Sequence, residues 1–112
     1  MCDYITEEET IIFGPQYVKP LDFKLLTTCK KILFSDYELN EGLFEAWEND
    51  NWNKFDYIGS EFNQPLGNSL KKCTVLTHIE FGACFSQPLV NSLVACTALT
   101  HITFGLRFNQ LL

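Results

Sequence analysis

The sequence lacks several features that would assign it a chemistry at once. It has no apolar run near the ~18 residues that a membrane helix requires, so no membrane partner is expected. Lys and Arg number only 8 and form no stripe, which excludes a nucleic-acid reader, because phosphate contacts need clustered cations. There is no Cys-x-x-Cys, and the cysteines (Cys2, Cys29, Cys73, Cys84, Cys96) are odd in number without the spacing of a disulfide framework. No Cys/His quartet has metal-ligand spacing. Neither a glycine-rich phosphate loop nor a carboxylate pair occurs, and no nucleophile is keyed to a histidine. The reading is therefore a non-enzyme with no catalytic residues, no cofactor and no metal. The first residues, Met1 to Glu9, are acidic where a secretory leader would be basic. The expected location is cytoplasmic, or host cytoplasm and virion if the chain is viral.

What is present is a well-stocked core. Over 112 residues the chain is 46% hydrophobic and 14% aromatic, with ten Phe, enough for one domain spanning the whole chain. The net charge of −6 is unevenly spread: residues 1–61 carry −8 and residues 62–112 carry +2. The acidic half could steer a basic partner or could simply solvate the surface.

The strongest signal is internal repetition. Phe62 to Cys84 reads FNQPLGNSLKKCTVLTHIEFGAC, and Phe85 to Arg107 reads FSQPLVNSLVACTALTHITFGLR, identical at 15 of 23 positions. A third copy begins at Phe108 with FNQLL. Weaker copies occupy residues 10–61, after a lead-in of residues 1–9. An apolar residue followed by Gly or Ser marks a hinge between copies at Phe13-Gly14, Phe34-Ser35, Ile58-Gly59, Phe81-Gly82 and Phe104-Gly105. Within a copy, His78-Ile79-Glu80-Phe81 alternates at a period of two, as a short strand does, and the Gly closes it. Asn91 to Cys96 reads as a short helical or 3-10 turn, with Asn91 or Ser92 available as a cap. Repetition of this unit predicts a solenoid, with one parallel strand and one helical turn per coil of 23 residues, and ladders such as Phe81 on Phe104.

These residues resemble a known family. Leu76, Ile79, Phe81, Gly82, Phe85, Leu89, Ser92, Leu93 and Cys96 match the 23-residue leucine-rich repeat of the bacterial surface-antigen A type. The FNQPL and LTHITFG words are similar to the FNIP-type repeats of slime moulds and giant DNA viruses. The resemblance implies a curved stack with a parallel sheet on the concave face, used mainly to bind proteins. Gly stands where the family usually has Pro after the strand, and no F-box motif precedes the repeats.

On this reading the protein is a protein-binding scaffold of leucine-rich-repeat type. Its binding patch would be the outward strand face of Thr77, His78, Glu80, Thr100, His101 and Thr103. A second contact would be an open end at Phe108, Leu111 and Leu112, through which the chain could form a homo-oligomer. The alternative is a structural or minor component of a larger assembly, such as a giant-virus particle. A metal or redox role would have to use the stacked His78/His101 or Cys73/Cys96, whose pairing duplication alone explains. Leu43 and Trp47, four residues apart, could share the face of a short helix, with Phe44 and Trp52 beside them, either filling core or forming an exposed aromatic hot spot.

Overall fold

Short β-branched and aromatic segments closed by turn residues form the strands. The computed structural model describes residues 3–89 and 91–110. Strand β1 (Tyr4–Glu7) turns through Glu8 and Glu9 into β2 (Thr10–Phe13), which it pairs antiparallel with Tyr4 opposite Phe13. Strands β3 (Lys31–Phe34), β4 (His78–Glu80) and β5 (His101–Thr103) follow in order, each parallel to the one before.

Period-two alternation sends one set of side chains inward. Register stacks Ile11, Ile32, Ile79 and Ile102 in one column. Beside it Phe13, Phe34, Phe81 and Phe104 stack with ring centroids 5.0, 5.6 and 5.8 Å apart. A second ring returns to the core from the turn after β2, β4 and β5, and after residues 36–59 in the case of β3, giving the column Tyr17, Phe62, Phe85 and Phe108 at 6.0, 5.9 and 6.1 Å. Rings of the two columns also touch pairwise, for example Phe34 with Phe62 at 4.3 Å and Phe81 with Phe85 at 4.0 Å. The ladder of Phe81 on Phe104 read from the duplication is therefore present.

The repeat solenoid, by contrast, does not form. The protein is built around a single five-stranded mixed sheet, and its first strand runs antiparallel. Among the described residues only two short helices occur, α1 (Phe23–Leu26) and α2 (Gly42–Asn49). The segments expected as a helical turn in each copy are separate four-residue turns, such as Cys73 N–H to Leu70 O and Cys96 N–H to Leu93 O. Left-handed backbone at Gly67 (φ 49°) and Asn91 (φ 63°) interrupts helical propagation there. The extents of 36 × 30 × 27 Å and radius of gyration of 13.0 Å are those of a compact globule.

Ile58-Gly59, read as one more hinge, adds no strand: β3 pairs directly with β4, and Ile58 is 49% exposed. Residues 36–59 instead leave the stack and fold over the outward sheet face. The reason lies in the outward positions. They are Ile12 and Leu33 on β2 and β3 but Glu80 and Thr103 on β4 and β5. The apolar pair requires cover, and Leu43 on α2 supplies it, with Trp47, Trp52, Phe55 and Tyr37 around it in a second core. Asn40 Oδ1 accepts from Gly42 N–H at 2.7 Å at the start of α2, and left-handed Asp50 ends it.

Asp36 clasps the ends of this excursion. Its carbonyl accepts from Ile58 and Gly59 N–H at 2.8 and 2.9 Å, and its Oδ1 accepts from Ser60 and Ala83 N–H at 2.7 and 2.9 Å. The chain passes so closely here that a Cβ on Gly82 would overlap Ser60 and reach the Asp36 carboxylate.

Two stability outcomes follow. Asp36→Ala leaves two amides of buried residues without an acceptor and should cost roughly 2–4 kcal/mol in urea unfolding, with Asp36→Asn losing distinctly less. Phe85→Ala removes a ring that touches three others and should cost about 3–5 kcal/mol, whereas Val94→Ala, at a residue 71% exposed, should stay within about 0.5 kcal/mol.

Candidate functional site: the groove between helix α2 and the sheet

Where α2 crosses the outward face, it does not close against the beginnings of the strands. A groove of about 740 Å³ remains. Thr10, Lys31 and His78, in register on β2, β3 and β4, line its sheet side, and Phe44 and Trp47 line it from α2. Carboxylates surround it: Glu7 and Glu8 from β1 and its turn, Glu41 at the N-cap of α2, and Glu45 and Glu48 within the helix. The three helix glutamates are spaced four and three apart, so they share one face. Packing like charges at that spacing destabilises a helix by about 0.2–0.5 kcal/mol per pair.

Each imidazole is held by the threonine before it. The Thr77 hydroxyl lies 3.0 Å from Lys30 O and 2.8 Å from His78 Nδ1. Thr100 repeats this at 3.2 Å from Thr77 O and 2.8 Å from His101 Nδ1. The two rings stack at 4.2 Å and 5°. Burial, the His101 ring and the Lys31 charge hold His78 below its ordinary pKa, so it is neutral at pH 7. Each threonine hydroxyl is engaged by a carbonyl of the preceding rung and by the adjacent imidazole.

Six residues were read from the sequence as one exposed patch. They share the outward side of β4 and β5 or the turns leading into them but differ in access. Thr100, His101 and Thr103 are exposed; Thr77, His78 and Glu80 are half-buried. Glu80 lies close to Trp47 of α2. Burial first, then Asp36 and Asp50, raises its pKa, and the nearby Trp47 side chain partly offsets this. At the open end Phe108 is half-buried as the last ring of its column, while Leu111 and Leu112 lie outside the described residues. Leu43 is fully buried, and Phe44, Trp47 and Trp52 pack around it.

Cys29, Cys73 and Cys96 occupy equivalent turns and are buried free thiols. Their Sγ atoms lie 3.5 to 3.7 Å from carbonyls of Leu25, Leu26 and Leu70. Burial, with the neighbouring Cys96 and Cys29, pushes the Cys73 thiol up to about 11, so it is neither a thiolate nucleophile nor a ready metal ligand at neutral pH. Among the described residues no three His, Cys, Asp or Glu side chains converge to hold a metal, and no helix is long and apolar enough to cross a membrane.

Sequence reasoning missed the groove itself. The glutamate spacing at positions 41, 45 and 48 is legible in the chain, but nothing local places that helix over Lys31 and His78. Comparison with protein-family models, curated proteins and solved structures finds no match to this chain.

The raised pKa of Glu80 carries a sign that can be checked. A carboxyl that holds its proton more tightly when folded costs stability while ionised. That cost disappears as pH falls through its folded value. Glu80→Gln should therefore raise the melting temperature at pH 7, and the gain should shrink as pH drops toward and below the ordinary 4.5. His78 titrates in both proteins and cancels in the difference.

Proposed function

We propose that the protein is a non-catalytic interaction module whose α2–sheet groove takes a basic, Arg- or Lys-bearing stretch of another protein. The observation that carries this reading is the groove's lining. It holds five carboxylates, one lysine, the His78 imidazole, and the Phe44 and Trp47 rings. Such a surface offers acceptors and π-faces to a guanidinium or ammonium group, which carries only donors. Carboxylates around the groove would also speed encounter with a cationic partner at low salt.

Catalysis has little support in this arrangement. His101 is exposed and His78 half-buried, and the hydroxyls beside them are already engaged. A reducing, cytoplasm-like location fits the buried free thiols at Cys29, Cys73 and Cys96.

Trp47 provides the readout. Titrating the protein with a short arginine-rich peptide should change tryptophan emission, and the apparent affinity should fall with added salt. Glu45→Lys with Glu48→Lys should weaken binding by about tenfold or more, equivalent to about 1.4 kcal/mol. An acidic peptide of the same length should give no response. Equal affinity for both peptides, or for the charge-reversed protein, would sink the reading.

A further inference from the structure

The two edges of the sheet are treated differently. At one edge β1 is flanked by Asp3, Glu7, Glu8 and Glu9, charges that discourage another strand from adding there. At the other, β5 carries no carboxylate, and no acidic residue occurs after Glu80. His101, Ile102 and Thr103 are all exposed, Ile102 at 38% against 1% for its neighbour Ile79. The last rings of both columns, Phe104 and Phe108, are covered on one face by Phe81 and Phe85 and remain half-exposed.

The backbone groups left at this edge can be deduced from the rung before it. Thr100 and His101 N–H donate to Thr77 O, and Thr103 O accepts from Phe81 N–H. Alternation along a parallel ladder then turns four groups outward: Thr100 C=O, Ile102 N–H, Ile102 C=O and Phe104 N–H. This set is symmetric about Ile102.

We infer that β5 pairs antiparallel with β5 of a second copy of this chain, about a twofold axis passing through Ile102 along the sheet normal. In that register Ile102 exchanges both hydrogen bonds with its mate, and each Phe104 N–H meets the other copy's Thr100 C=O. All eight free groups are used. The axis keeps both cores on the same side of one continuous ten-stranded sheet. It brings the two exposed ring layers together and sets Ile102 beside Ile102. Without carboxylates at the end face, the approach meets no acidic repulsion. An isologous contact of this kind closes at two copies. Both grooves open on the same face of the joined sheet, so the dimer and the groove reading stand or fall separately.

Sedimentation velocity over a range of loading concentrations tests the pairing. The wild-type protein should shift from monomer to twice the monomer mass and no further. Ile102→Pro deletes a donor that is free in the monomer, and Ile102→Lys places a charge at the axis. Both should stay monomeric at loadings where the wild type is dimeric, with an unchanged far-ultraviolet circular dichroism spectrum. Should a variant fail to fold, hydrogen exchange on the wild type decides: the Ile102 and Phe104 amides should slow as concentration rises. A wild type that remains monomeric throughout, variants that dimerise like it, or exchange at Ile102 and Phe104 indifferent to concentration each overturn the proposal. Open-ended polymers overturn it as well, because they require head-to-tail pairing of β5 with β1.

Discussion

Two columns of stacked rings hold this protein together. Each rung from β2 onward delivers one ring to the first column and, on the chain's return to the core, one to the second, so every rung adds a touching pair. Flat side chains suit this use because parallel strands lie about 4.8 Å apart, and offset rings tolerate centroid spacings of 4.5–7 Å. The strands are only three or four residues long, too short to hold register by backbone pairing alone. Ring stacking supplies what the short ladders lack, and the Gly82–Gly105 approach shows its geometric consequence. A Cβ on Gly105 would run into the Gly82 carbonyl, so successive turns after the strands can nest this closely only without side chains.

The excursion from Asp36 to Gly59 turns a one-sided stack into a sheet with a core on each face. Its cover is partial: α2 seals Ile12 and Leu33, reaches Glu80, and leaves β5 bare. That partial cover produces both surfaces of interest. The groove exists because α2 leans over Lys31 and His78 without filling the space between, and the edge is bare because, among the described residues, no strand pairs with the far side of β5.

The sequence was informative wherever one residue repeats in one register. Phe81 over Phe104, His78 over His101 and the Cys73 and Cys96 turns were legible because 15 of 23 identical positions leave one alignment. The helical turns failed because left-handed Gly67 and Asn91 are choices of φ that neither residue's identity imposes. Ile58-Gly59 misled because its wording matches a hinge, while its preceding residues lack the inward alternation of a strand. The exposed patch was half right about access: alternation tells which side of the strand Glu80 takes but not what lies over that side.

The chain by itself determined the stacking of Phe81 on Phe104 and of His78 on His101 and the spacing that makes Glu41, Glu45 and Glu48 an acidic stripe, since spacing and identity along one segment suffice for these. Only the tertiary structure decided that residues 36–59 cross to the outward face, that β1 closes the sheet antiparallel, and that the stripe surrounds a groove floored by Lys31 and His78. Those outcomes depend on contacts between residues up to 47 positions apart, such as the Asp36 carboxylate with Ala83 N–H, and no local pattern encodes which distant amide a carboxylate will meet.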